Sequence, residues 1–186
     1  VKEYIDDHDD CTIGLIRKAI EYANTKIYEL SQNNKQLQGM GSTVVAAGIS
    51  KSALYAFNVG DSRLYIVRDK LIQITKDHSL VEDEVAKGHI TRGSEEYKLN
   101  KKYITRAVGV EREVDVDIFE VELLEGDKIL LCSDGLSNMI DDKEIYDIIS
   151  KSESLETAVD TLIETANEKG GTDNISAILI NYEREV

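Results

Sequence analysis

Three aspartates stand where a strand-like run gives way to a turn with glycine close by. They are Asp61 in Val59-Gly60-Asp61-Ser62, Asp134 in Ser133-Asp134-Gly135, and Asp173 in Gly171-Thr172-Asp173-Asn174. A carboxylate so placed is held by the strand below and open to a ligand above, and glycine frees the backbone for a tight turn. If the three strand ends converge, two such charges ~4 Å apart repel by about 4 kcal/mol at an effective dielectric near 20. A cluster of this kind needs a proton or a cation. Aspartates without a Cys or His ligand pattern suit a hard cation, Mg²⁺ or Mn²⁺, better than zinc. Such an ion activates water and stabilises an in-line phosphoryl displacement. Taken singly, each aspartate better fits an ordinary turn in which its side chain bonds the local backbone. Spacing along the chain does not by itself bring the three together.

The elements that must position them are legible in the hydrophobic periodicity. The apolar run from Ile129 to Cys132 is too short for a helix and reads as a strand covered on both faces, ending at Asp134 with Gly135 turning the chain. Ala53 to Val59 leads to Asp61, and Leu64 to Val67 with Leu71 to Ile74 form a hairpin about Arg68-Asp69-Lys70. Thr43 to Ile49 is a further β-branched strand, Val114 to Leu123 another, and Ile175 to Tyr182 the last. An amphipathic helix is expected over 12–30, with Ile13, Ile16, Ile20, Ala23, Ile27 and Leu30 on one stripe and Asp9, Asp10 or Thr12 as cap. Ser79-Leu80-Val81-Glu82 has the spacing of a capping box and opens a short helix ending at Gly88. Residues 89–103 read as a polar surface insertion. Asp141-Asp142-Lys143-Glu144 reads as the cap and acidic first turn of a helix that buries Ile145, Ile148 and Ile149, and Leu155, Ala158, Val159, Leu162, Ile163 and Ala166 stripe a second helix that Gly170-Gly171 stops. Helix, short-linked strands, two helices and a final strand predict an α+β fold of sheets between helices, in one domain over 1–186.

Bulk composition narrows the function classes. The chain has 186 residues, 41% hydrophobic and 31% charged, with a net charge of −14. That charge opposes nonspecific binding to the phosphate backbone of a nucleic acid and is compatible with metal cations. No run approaches the ~18 apolar residues of a membrane span, and no signal-peptide pattern is present. The two cysteines, Cys11 and Cys132, have no zinc spacing, and Cys132 reads as a reduced core residue, so a cytoplasmic location is expected.

Six segments in order carry a resemblance. They are Gly39-Met40-Gly41-Ser42-Thr43, Gly60-Asp61-Ser62-Arg63, Asp77-His78-Ser79, Thr105-Arg106-Ala107-Val108-Gly109, Ser133-Asp134-Gly135-Leu136 and Gly171-Thr172-Asp173-Asn174-Ile175. Over about residues 12–182 this order resembles the bacterial branch of the metal-dependent type 2C Ser/Thr protein phosphatases. The resemblance implies a four-layer α-β-β-α sandwich of two antiparallel sheets. It implies that Asp134 and Asp173 hold a dinuclear Mn²⁺ or Mg²⁺ site and that Asp61 helps hold a third, weaker ion. Gly135 and Asn174 would support the turns, and about residues 80–103 would form a flap beside the site. In that family a water or hydroxide bridging two metals attacks the phosphorus of phosphoserine or phosphothreonine directly. The implied partners are phosphorylated proteins and a cognate Ser/Thr kinase.

The resemblance also implies residues that this chain lacks. The family's substrate-gripping arginine, an acidic residue and an Asp-Gly-Met-Gly-Gly-His-like stretch precede the first helix, and none is found before or within 12–30. Val1 is not an initiator Met, so the chain reads as a fragment missing N-terminal strands, whose own activity would be impaired or absent. A phosphatase-like regulatory or scaffold domain without chemistry is the alternative. Among other candidates, His78 reads as a structural hydrogen-bonding residue beside the flap, and His8 and His89 as surface residues. Arg63 and Arg106 are candidates to bind phosphate but read rather as partners of an acidic neighbour or of the backbone. Ser62 and Ser133 are not nucleophiles, because no base motif accompanies them.

Overall fold

In the computed structural model, which describes residues 11–184, the chain divides into two compact units, each gathered from separate stretches. One comprises residues up to Val44 with Phe57–Asp61 and Asp77–Ile118. The other comprises Val45–Ala56, Ser62–Lys76 and the chain from Phe119 onward.

The second unit contains most of the strands. β3 (Arg63–Val67) and β4 (Leu71–Gln73) form the expected hairpin, and β6 (Lys128–Cys132) and β7 (Ala177–Asn181) complete an antiparallel sheet in the order β4-β3-β6-β7. β1 (Val44–Ser50), β2 (Ala53–Val59) and β5 (Asp117–Glu122) make a second sheet in the order β1-β2-β5. Successive side chains of a strand point to opposite faces, so β3 and β6 serve two cores. Tyr65, Val67, Leu130 and Cys132 pack with Leu136, Ile140, Ile145, Ile149, Leu162 and Ala166. Leu64, Ile66, Ile129 and Leu131 pack with Leu54, Ala56 and Leu123 and with the partly buried Val45, Ala47, Phe119 and Val121. Each such large side chain contributes roughly 1.5–3 kcal/mol by leaving water. Within this unit the layers therefore run helices, sheet, sheet, and the α+β class with two antiparallel sheets holds.

The helices of this unit are α4 (Asp134–Ser137), α5 (Asp142–Lys151) and α6 (Leu155–Glu168). α5 and α6 start at side-chain caps: Asp141 accepts from Glu144 N at 2.9 Å and Ser154 accepts from Thr157 N at 3.1 Å. α4 differs from the sequence reading. Gly135 sits inside one helical turn rather than forming a free turn, and its φ is not among the positive values. Ile148 is only partly buried, while Ile145 and Ile149 are covered. The first and last residues of the expected strands over 114–123 and 175–182 lie outside β5 and β7.

The first unit is built on α1 (Cys11–Asn33). Ile13 and Ile20 are buried as the stripe predicts, but Leu30 is 54% exposed. The unexpected member of the buried face is Asn24, at 1% exposure. Its Oδ1 accepts from Gly109 N at 2.7 Å, and its Nδ2 donates to the carbonyls of Glu111 and Arg112 at 3.1 and 3.2 Å. A polar group there is tolerated because both ends of the amide are bonded. Ser42 and Val108 exchange two backbone bonds in the same unit. α2 (Leu80–Ala86) follows Ser79 as expected, and α3 (Glu95–Asn100) stands where an irregular insertion was expected. Ser94 caps α3 by accepting from Tyr97 N at 3.1 Å, with Glu95 and Glu96 in its first turn. The expected caps Asp9 and Asp10, and His8, lie outside the described residues, as do the side chains of Cys11 and Thr12.

Candidate metal centre

Asp134 and Asp173 stand on neighbouring turns of the second unit. β6 and β7 pair up to Cys132 opposite Ala177, and the two aspartates follow and precede those residues in the chain. Gly135 explains how closely the turns approach. A Cβ at this position would lie 2.4 Å from the Asn174 carbonyl oxygen and 2.9 Å from its carbon. Backbone atoms cannot yield as a side-chain tip can, so only glycine permits the contact. Gly135 was expected to support the turn by freeing the backbone; what its missing side chain allows here is close approach to Asn174. Asn174 acts through its backbone: its N–H donates to Asp173 Oδ1 at 2.7 Å. Asn138, one turn along from Asp134, donates from Nδ2 to Asp134 Oδ2 at 3.0 Å. This orienting amide was missed, although its i,i+4 spacing from Asp134 is visible in the sequence.

Asp61 lies in the first unit, just after β2. Gly60 precedes it at φ +109°, and a Cβ there would lie 2.4 Å from Thr43 Cγ2. His78 holds this turn twice. Its backbone N–H donates to Gly60 O at 2.8 Å, and its Nδ1 accepts from Gly60 N at 3.0 Å. Because Nδ1 is an acceptor, the ring proton belongs on Nε2, which donates to Asp117 Oδ2 at 3.1 Å. Arg106 Nη1 donates to Asp117 Oδ1 at 2.7 Å and to the Asp115 carbonyl at 2.9 Å. Burial opposes ionisation of Asp117, but the bonds from His78 and Arg106 outweigh it and hold the carboxyl below the usual carboxylate range. Both nitrogens of His78 are therefore engaged, which suits a structural role. Arg63 donates to the phenol of Tyr65 at 2.9 Å, a partner the sequence did not suggest. Burial pushes the Tyr65 hydroxyl far up, out of the titrating range.

The segment over about 80–103 has an internal anchor. Ser79 Oγ accepts from Glu82 N at 3.4 Å, as an N-cap does. The buried Glu82 carboxylate takes Arg92 Nε at 3.1 Å, Arg92 Nη2 at 2.6 Å and Tyr97 Oη at 2.7 Å. The two bonds to arginine form a charge-assisted fork. Arg92 lies beyond any local helix signal, so sequence could not select this pairing. Glu84 joins Lys87 and His89 at 2.8 Å each on the surface.

Oxygen donors without cysteine or histidine suit a hard cation, and Asp134 and Asp173 provide two such groups with one already oriented by an amide. Among the described residues no group of three or more His, Cys, Asp and Glu side chains is arranged to hold a metal ion. The two aspartates thus fit part of a coordination shell.

The family model for protein phosphatase 2C matches residues 6–175 of the chain. The chain is 40% identical over 166 residues to the serine/threonine phosphatase stp of Listeria welshimeri, covering 89% of this chain and 66% of that relative. It thus spans about two thirds of that curated relative's length. Among solved structures, serine/threonine phosphatase Stp1 from Staphylococcus aureus is similar at a TM-score of 0.87 and 32% identity, over 96% of this chain and 71% of that one. The catalytic domain of serine threonine protein phosphatase PstP in complex with two manganese ions is similar at a TM-score of 0.81 and 35% identity, over 94% and 73%.

Proposed function

The chain belongs to the protein phosphatase 2C family, and from that premise we propose that the protein carrying it hydrolyses phosphoserine and phosphothreonine in other proteins with Mn²⁺ or Mg²⁺. The observation that carries this reading is the pair of aspartate turns in contact at Gly135 and Asn174. Asp134 and Asp173 would hold the ions, two in number, and Asp61 a third and weaker one. When bound, such an ion lowers the pKa of water and stabilises charge on a phosphoryl group in flight. The chain's own residues supply position: Asn138 turns Asp134, the Asn174 amide turns Asp173, and His78 fixes the turn that carries Asp61.

The single-domain reading of 1–186 belongs to this proposal, supported by one uninterrupted family match. So does the flap over about 80–103, supported by the Glu82 anchor. So do phosphoprotein substrates, a cognate Ser/Thr kinase as source of those phosphates, and a cytoplasmic location. Among the described residues no helix is long and apolar enough to cross a membrane.

A second reading, a phosphatase-like regulatory or scaffold domain, is favoured by one observation: no described group of three ligating side chains is arranged for an ion. For the same reason the 186-residue chain alone is expected to bind Mn²⁺ weakly and turn over slowly. Mn²⁺-dependent hydrolysis of phosphothreonine peptides by the natural full-length protein decides between the two. The phosphatase reading expects robust turnover that Asp134→Asn abolishes. Absence of Mn²⁺-dependent turnover, or turnover that Asp134→Asn leaves unchanged, sinks it.

A further inference from the structure

We propose that Ser133 is a positioning residue whose hydroxyl ties the Asp134 turn to the Asp173 turn and thereby sets the metal affinity of the pair. The proposal rests on the reading of these two aspartates as metal ligands.

Ser133 occupies the N-cap position of α4 with extended backbone, φ −76° and ψ 166°, yet its side chain makes no cap bond. A serine there ordinarily turns its hydroxyl onto the first helical amides. Here the hydroxyl reaches across instead. Ser133 Oγ donates to the Asn174 carbonyl at 3.0 Å and accepts from Ser176 N at 3.0 Å.

The reason lies in the backbone. The β6–β7 ladder runs to Cys132 opposite Ala177, and Ser133 N continues it by donating to Ser176 O at 3.0 Å. An antiparallel pair would close this ring with Ser176 N donating to the Ser133 carbonyl. That carbonyl has already turned into α4 and accepts from Leu136 N at 3.1 Å. The hydroxyl takes its place. One hydroxyl thus does the work of a ladder carbonyl and extends the pairing beyond the point where the strand becomes a helix.

A continuous chain of bonds results. Asp173 Oδ1 holds the Asn174 amide, the Asn174 carbonyl holds Ser133 Oγ, and Ser133 precedes Asp134. Gly135 against the Asn174 backbone limits how closely the turns approach; Ser133 limits how far they separate. Asp173, Asn174 and Ser176 are exposed, so water can replace the lost bonds in a variant and the fold should survive. What water cannot replace is the fixed placement of one carboxylate relative to the other.

The test is a Mn²⁺ titration of the natural full-length protein by calorimetry and by electron paramagnetic resonance, with melting temperatures and phosphothreonine-peptide kinetics in parallel. Loss of outer partners of metal ligands typically costs 10–100-fold in affinity. Ser133→Ala is therefore expected to weaken Mn²⁺ binding by about tenfold or more. It should raise the Mn²⁺ needed for half-maximal rate while leaving kcat at saturating metal near that of the parent. Ser133→Thr, which keeps the hydroxyl, is expected to retain affinity. Ser154→Ala, which removes the cap of α6, serves as a purely structural control that lowers stability and spares affinity.

Parent-like Mn²⁺ affinity in Ser133→Ala, with Asp134→Asn losing binding, overturns the role of Ser133 alone. An affinity loss in Ser133→Ala that is matched in Ser154→Ala at equal melting temperature, or equally in Ser133→Thr, also overturns it. Unchanged binding in Asp134→Asn overturns the two-aspartate reading, and this proposal with it.

Discussion

Gly135 is the residue at which one added carbon has a defined consequence. Its missing Cβ would meet the Asn174 carbonyl oxygen at 2.4 Å, so Gly135→Ala must move one aspartate turn relative to the other. Overpacking of this kind costs typically 1–3 kcal/mol. The expected outcome is a loss of about 2 kcal/mol in urea unfolding, accompanied by weaker Mn²⁺ binding measured by calorimetry. The aspartates themselves should rank. Asp134→Asn or Asp173→Asn is expected to lower Mn²⁺-dependent turnover beyond the 10–100-fold typical of outer-shell changes, while Asp61→Asn falls within about tenfold. Steady-state rates on a phosphothreonine peptide over a Mn²⁺ series check the ranking, and equal losses at Asp61 and Asp134 would contradict it. Asn138 and Ser133 are small polar residues that sequence alone treats as solvated. Their roles became readable only when a bond to Asp134 and a bond to Asn174 were in view.

At the scale of elements, two anchors carry separate predictions. The turn before β6 is closed by Asp127, buried at 1% exposure, which takes Arg68 Nε and Nη2 at 2.7 Å each and Leu124 N at 2.8 Å. The bond from Arg68 outweighs burial and holds the Asp127 carboxyl below the usual range. A depressed folded pKa means that stability from the pair is present above the unfolded carboxylate value of about 3.9. That stability is lost as pH falls through the folded value. Arg68→Ala is expected to cost about 2–3 kcal/mol near neutrality and to flatten the loss of stability below about pH 4. Urea unfolding across that pH range measures both. In the segment over residues 80–103, Glu82 binds Arg92 and Tyr97. Glu82→Gln should lower the local opening free energy of residues 80–103 by about 2 kcal/mol. Amide hydrogen exchange there should quicken while the global midpoint moves little. Existence of most elements was legible because their apolar periods are regular: α1, α5, α6 and β1 to β7 all fall where periodicity puts them. α3 was hidden by its brevity, though Ser94 followed by Glu95 and Glu96 is a cap signal that could have exposed it.

At the scale of the whole molecule, the net charge of −14 is the dominant long-range property. It attracts divalent cations before any specific ligand is met, and salt screens it, the Debye length shrinking from about 30 Å at 0.01 M to about 8 Å at 0.15 M. Mn²⁺ affinity is therefore expected to fall several-fold between those salt concentrations; calorimetry at both checks this, and a salt-independent affinity would contradict it. Sequence by itself determined the class of the fold, the order of its strands and longer helices, and the family resemblance. Those depend on residue type and local period, which the chain states directly. Tertiary structure alone decided that Asp134 and Asp173 share neighbouring turns, that Glu82 pairs with Arg92, that Asn24 is buried in α1, and that Ser133 completes a strand ladder with its side chain. Each of these joins residues from 10 to 88 positions apart in the chain. Such contacts follow from how the backbones cross, and the residues that make them carry no local period to announce it.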